Sequence, residues 1–199
     1  MLEILFRNQD FAAVSKPAGI AVHQEEGADN LLAMAAARLN VPRLWLTHRL
    51  DKPTSGVLLL ALNAQAASEL AQQFAAKTIR KTYLALSDRR PAKKQGLVKG
   101  GMEKSRRGTW KLTRGDGANP AVTRFHSQSI APNLRLFVLQ PKTGKTHQLR
   151  VAMKSLGSPI LGDTLYGGTP AERLFLHAWR LEFEYRGVAF SICAPLDGR

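Results

Sequence analysis

Six apolar residues in a row, Val57 to Leu62, stand between Gly56 and Asn63. So short a run, rich in Leu and closed by turn or cap residues, reads as a strand buried on both faces. A strand of that kind commits the chain to layers packed on a sheet, and the flanking sequence supplies them. Residues 2–6 and 10–15 are expected to pair as a hairpin around Arg7-Asn8-Gln9, with a turn at Lys16-Pro17-Ala18-Gly19. Asp29 or Asn30 is placed to cap a helix running to about Leu39, with Leu31, Leu32, Ala35 and Leu39 on its apolar face. A short strand near 45–48 precedes the buried run, Asn63 caps a helix over about 64–76, and Ile79 to Leu86 is β-rich. Further strands are expected at 121–130, 134–140, 175–184 and 188–193. A helix is expected from about Thr146 to Leu156, stopped by Gly157. Strands that pair in sequence, with few crossover helices, predict an α+β fold. The sheet is expected to be mixed but largely antiparallel and flanked by helices and loops, in a single domain spanning 1–199.

The stretch 88–120 differs from the rest. Lys, Arg, Gly and Pro dominate it, and it reads as a basic insertion or long loop over about 88–118, with one strand near Thr109–Leu112. From Lys77 to Arg114 thirteen cationic residues face only Asp88 and Glu103, within a chain of net charge +14. A surplus this dense beside an ordered core points to a polyanionic partner, nucleic acid above all. Lys93, Lys94, Arg106 and Arg107 are the candidate phosphate contacts.

Other classes are excluded by what the sequence lacks. The one cysteine, Cys193, allows no internal disulfide and no cysteine-rich zinc site. The opening MLEILFRNQDF lacks the order of a signal peptide, and no apolar run approaches the roughly 18–20 residues of a membrane span. A soluble, cytoplasmic protein is expected, with a monomer as the default. His23, His48, His126, His147 and His177 are scattered without ligand spacing, so no metal site is expected and each His reads as a structural hydrogen-bonding residue.

Three clusters carry chemistry. Thr47-His48-Arg49-Leu50-Asp51-Lys52-Pro53-Thr54-Ser55-Gly56 sets two cations, a carboxylate and two hydroxyls in a loop stiffened by Pro53 and Gly56 and backed by the buried strand. Lys142 to Arg150 contains a Gly-Lys-Thr, but a phosphate-binding loop needs a glycine where Leu139 stands, so no nucleotide cofactor is expected. That segment instead reads as a helix start, with Thr146 as the cap and Arg150 one turn further in on the same face. Arg80-Lys81-Thr82-Tyr83 is a strand segment alternating basic residues with others.

The string HRLDKPTSGVLLLAL resembles the signature of the RluA-type RNA pseudouridine synthases. VSKPAGIAVH, KTYLAL, NPAVTRF, TGKTHQLRVAMKSLGSPILGDTLYGG and RLFLHAWRLEF are similar to further segments of that family, in the same order. Pro53 departs from the pattern, standing where many relatives carry Asp or another polar residue. The resemblance implies a cofactor-free isomerase acting on rRNA or tRNA. It implies Asp51 as the catalytic carboxylate, Arg150 as its ion-pair partner, and Tyr83 as the residue that stacks on the target base. Arg49 is implied as the cation that fills the gap left by a flipped-out uridine. No separate N-terminal RNA-binding domain of the S4 type is expected. The rival reading is a non-catalytic RNA-binding or ribosome-associated protein on the same fold, while a DNA-binding module lacks a recognisable reading helix.

Overall fold

Asn8 turns the chain back on itself: its Oδ1 accepts the N–H groups of Asp10 at 2.9 Å and Phe11 at 2.8 Å, which closes the first hairpin. The computed structural model describes residues 2–22, 31–115 and 119–196. In chain order its elements are β1 (Glu3–Arg7), β2 (Phe11–Lys16), α1 (Leu31–Leu39), β3 (Trp45–Leu46), β4 (Ser55–Ala61), α2 (Ala64–Ala76) and β5 (Arg80–Ser87). Then follow β6 (Gln95–Lys104), β7 (Trp110–Thr113), β8 (Ala121–Ala131), β9 (Leu134–Pro141), α3 (Gln148–Ser155), β10 (Leu176–Tyr185) and β11 (Val188–Cys193). Asp29 and Asn30, expected to cap α1, and His23 lie outside the described residues. The chain divides into two compact units, Met1–Lys81 with His177–Arg199, and Thr82–Leu176.

The first unit is built on β4, all seven of whose residues are buried. β2 runs antiparallel along it from Phe11↔Ala61 to Lys16↔Gly56, and β1 pairs with β2. β3 meets β4 only at Trp45↔Ala61 and Leu46↔Leu60. β10 joins parallel at His177↔Ser55 and Ala178↔Gly56, then pairs antiparallel with β11. β1 with β2, β2 with β4, β3 with β4 and β10 with β11 all pair antiparallel, as the α+β reading expects. Asn63 caps α2, its side chain accepting the Ala66 N–H at 2.8 Å. Ala66 and Leu70 of α2 then pack on Val57, Leu59 and Ala61. The same core holds Phe11, whose ring meets those of Phe183, Tyr185 and Phe190 edge-on at 5.1–5.6 Å.

In the second unit β9 is central, pairing with β5 on one side and β8 on the other. β8 pairs with β6, and β6 with β7, all antiparallel. Leu149, Ala152 and Met153 of α3 pack on Ala85, Phe125, Phe137 and Leu139. The basic stretch is more ordered than its composition suggests. Beside the expected strand, β7, it contains the ten-residue β6, and the two form a hairpin whose turn carries Arg107 in the left-handed region (φ 55°). β6 lacks clean alternation because Gly100 and Gly101 lie where β7 comes close. A Cβ on Gly100 would meet the Thr113 carbonyl oxygen at 2.7 Å.

Gly56 is the tightest joint of the first unit. Its φ is +116°, and a Cβ there would run into the backbone of Ala178 on β10. Gly157 also has positive φ (+75°), but nothing lies within 4 Å of its would-be Cβ. Gly56→Ala is therefore expected to cost about 2–4 kcal/mol through strain and backbone clash together. Gly157→Ala is expected to cost about 1–2 kcal/mol through strain alone. Urea unfolding of the two variants beside the native chain measures both, and equal midpoints would contradict the clash at Gly56.

Candidate active site

In the first unit the loop between β3 and β4 is fixed at several points along its length. Thr47 Oγ1 donates to the Leu59 carbonyl at 2.7 Å, and the Leu59 N–H donates to His48 Nε2 at 3.0 Å. Leu50 and Thr54 are buried, whereas Arg49 is exposed and Asp51 half-buried. The Asp51 carbonyl accepts the Thr54 N–H at 3.0 Å, closing a turn over Lys52 and Pro53. Ser55 is hydrogen-bonded to His177 Nδ1 at 2.9 Å, and His177 Nε2 lies 3.4 Å from the Ala194 carbonyl. A carbonyl can only accept, so Nε2 carries a proton in its contact with Ala194. His48 and His177 are thus hydrogen-bonding residues, as the sequence reading expects.

Lys16 is the residue of this region that sequence reasoning missed. It is 1% exposed, and its Nζ donates to the carbonyls of Pro17 at 3.0 Å, Ile20 at 2.7 Å and Lys52 at 3.0 Å. The Gly19 N–H donates to the same Lys52 carbonyl at 2.9 Å. One ammonium therefore ties the Lys16–Gly19 turn to the residue that follows Asp51. Burial lowers the Lys16 pKa to about 8, and the Asp51 charge opposes the fall. Lys16 stands in the family-like segment VSKPAGIAVH, but a lysine at a strand end beside Pro17 reads locally as an ordinary turn.

In the second unit Tyr83 sits half-buried on β5, opposite Leu139 of β9. Arg150 lies on α3, buried, and its guanidinium grips Asp163: Nε donates to Oδ2 at 2.8 Å and Nη2 to Oδ1 at 2.7 Å. Within this unit the carboxylate partner of Arg150 is thus Asp163, a residue to which the sequence reading gave no role. Tyr166 backs the pair, with its ring 4.9 Å from the guanidinium carbon. Its hydroxyl accepts the Trp110 N–H at 2.9 Å and is hydrogen-bonded to His147 Nδ1 at 2.8 Å. Thr146 is not the helix cap. His147 takes that position in the left-handed region (φ 54°) without a side-chain cap bond. Gln148 Oε1 instead accepts the Lys145 N–H at 3.0 Å and the Thr143 hydroxyl at 2.7 Å.

The candidate phosphate contacts are not gathered together. Lys93 and Lys94 are exposed at the foot of β6, with the Lys94 carbonyl accepting from Ser127 N at 2.7 Å. Arg106 and Arg107 are exposed at the far tip of the hairpin. A ten-residue strand separates the two pairs, roughly 30 Å at 3.3 Å per residue. Among the described residues no three His, Cys, Asp or Glu side chains cluster so as to hold a metal ion, and no helix is long and apolar enough to cross a membrane.

Residues 10–155 match the RNA pseudouridylate synthase family. A Haemophilus influenzae protein named an uncharacterized RNA pseudouridine synthase is 53% identical over 100% of this chain and 89% of its own length. A tRNA pseudouridine synthase C from Haemophilus ducreyi is 35% identical over 92% of this chain and 86% of its own length. The solved structure of human RNA pseudouridylate synthase domain containing 4 matches with a TM-score of 0.81 at 26% identity, covering 98% of this chain and 89% of that one.

The buried ammonium of Lys16 gives stability a pH signature. The folded state releases this proton near pH 8, while the unfolded chain holds it until the ordinary lysine value of 10.5. Between those values the unfolded state binds more protons, so this group makes stability rise with pH across that window. The stability difference between the native chain and Lys16→Met is expected to grow in favour of the native chain from pH 8 to 10. A difference that stays flat, measured by urea unfolding at several pH values, would refute a Lys16 pKa near 8.

Proposed function

This chain belongs to the RNA pseudouridylate synthase family, and from that premise we propose that Asp51, Tyr83 and Arg150 carry the reaction. The enzyme is an RNA pseudouridine synthase, an isomerase. Its reaction breaks the N1–C1′ bond of a uridine, turns the base, joins C5 to C1′ and releases the C5 proton. Reactant and product are isomers, so atoms and electrons balance within the nucleotide. What the protein must provide is a carboxylate, a dry base pocket and a way to hold the uridine outside its stack.

Asp51 is the carboxylate in this reading, acting either on C1′ as nucleophile or on the C2′ proton. The observation that carries it is the fixed loop. A half-buried carboxylate sits on a turn closed by Thr54 and tied down through Lys52 by a buried ammonium. Tyr83 stacks on the base and assists departure of the C5 proton. Arg150 is the third member, its guanidinium held in one orientation by Asp163 and Tyr166. Arg49, exposed on the same loop as Asp51, enters the gap left by the flipped base. The whole chain, 1–199, acts as one catalytic domain, monomeric and cytoplasmic. Its substrate is tRNA or rRNA, and relatives named for each are similarly alike to this chain.

Two measurements test this reading. The first is tritium release from total cellular RNA labelled at uridine C5. It is expected from the native chain and lost in Asp51→Asn by at least about 10³-fold, the scale of losing an essential nucleophile. Release by Asp51→Asn at the native rate would remove Asp51 from the chemistry. The second concerns RNA grip. If Lys93, Lys94, Arg106 and Arg107 each neutralise one phosphate, replacing all four with Gln lowers the slope of log affinity against log salt by about 3. Because the pairs sit at opposite ends of β6, replacing Arg106 and Arg107 alone is expected to lower it by about half of that. An unchanged slope would mean that the hairpin is merely solvated.

A further inference from the structure

β3 leaves its neighbour after two residues. Main-chain pairing with β4 stops at Leu46↔Leu60, and on the same strand β10 begins only at Ser55 and Gly56. Between them lies Leu59, fully buried, with an N–H and a carbonyl that no third strand reaches from this side. Leaving such groups unpaired costs about 1–3 kcal/mol each. Two consecutive side chains take them. Thr47 Oγ1 donates to the carbonyl at 2.7 Å and His48 Nε2 accepts from the N–H at 3.0 Å.

A side chain holds the backbone further from its partner than a ladder bond does. The chain therefore departs from β4 at Thr47 while remaining anchored to it, and Arg49, Leu50 and Asp51 follow directly. The far side of the loop is held by the Thr54 N–H on the Asp51 carbonyl and by Lys16 on the Lys52 carbonyl. His48 is the last anchor before Asp51 on the near side. Its ring stacks on Phe74 with centroids 4.3 Å apart and planes 22° from parallel, which fixes the ring's position. A backbone N–H can only donate, so Nε2 must present a lone pair and the ring is neutral with its proton on Nδ1. Burial, followed by the charge of Lys81, lowers the His48 pKa to about 3, in keeping with that state.

We infer that His48 is a positioning residue for the isomerisation: through the lone pair on Nε2 it fixes the start of the loop that carries Arg49 and Asp51, and Thr47 does the same through its hydroxyl. His48 touches no substrate and moves no proton in this role. The inference rests on Asp51 as the catalytic carboxylate.

The test uses His48→Phe, which keeps a stacking ring but has no acceptor, and His48→Gln, whose amide oxygen reaches about where Nε2 stands. In single-turnover tritium release from uridine-C5-labelled cellular RNA, His48→Phe is expected to slow the chemical step by about 10–100-fold, the scale of a small misplacement. RNA affinity is expected to stay within about twofold, and His48→Gln to recover most of the rate. Amide hydrogen exchange, which needs no substrate, is expected to quicken in His48→Phe at Leu59 and across 49–52 and to return in His48→Gln. A native rate in His48→Phe overturns the proposal, as does a Gln variant as slow as Phe, or an exchange change spread evenly through the first unit. Should His48→Phe not fold, Thr47→Val carries the same expectation, since it leaves the Leu59 carbonyl unpaired without changing side-chain shape. If Asp51→Asn retains activity while His48→Phe loses it, the reading of Asp51 fails separately.

Discussion

Every residue of β4 is buried, so each polar group of its backbone must find a partner inside the protein. That requirement organises the first unit. One edge is filled by β2 over six paired positions. The other is shared in sequence by β3, two side chains and β10. A single long strand on that edge would have satisfied β4 equally well and left no loop. Splitting the edge into three short partners satisfies the same groups and releases the chain between Thr47 and Thr54. The loop of Asp51 is the product of how a buried strand completes its hydrogen bonds. Its rigidity has the same source, because both of its ends are tied to groups that cannot be left unpaired.

The two buried cations show different solutions to one problem. Removing a charge from water is costly unless polar groups replace the water. Arg150 meets a full carboxylate in a two-pronged geometry suited to its planar fork. Breaking such a pair costs about 3–5 kcal/mol, since the survivor stays buried and uncompensated. Lys16 meets three carbonyl dipoles. Burial lowers its pKa to about 8. The guanidinium is the better choice where orientation matters. The ammonium is the better choice where carbonyls of two loops must converge on one point.

What the sequence made legible follows from range. The run of Val57 to Leu62, the Asn63 cap and the hairpin around Asn8 are set by neighbours within a few residues, and each stands where local pattern put it. Asp51, Tyr83 and Arg150 were proposed from ordered motifs and not from local physics. Asp163 was not legible, because its significance lies in a contact with a residue thirteen positions earlier on another element. Lys16 was hidden in the same way: a lysine beside a proline at a strand end says turn, and only the folded chain shows it buried. β6 escaped because glycines at Gly100 and Gly101 erase the alternation that marks a strand, while the close approach of β7 is what requires them. Thr146 has the right chemistry for a cap, but the left-handed turn at His147 moves the helix start past it.

The hairpin and the helix also share a point that neither sequence segment announces. Tyr166 gives its ring to Arg150 and its hydroxyl to both His147 and the backbone of Trp110. Trp110 opens β7, and β7 with β6 forms the basic hairpin. The strand that presents Arg106 and Arg107 is thus pinned, at the residue where it begins its return, to the same phenol that backs the buried guanidinium. A basic loop without that bond would sample many positions and lose ordering entropy on meeting RNA. Anchored at Trp110 and paired along β6 and β8, the hairpin meets that cost during folding. The backbone that carries Arg106 and Arg107 is therefore ordered by bonds within the second unit.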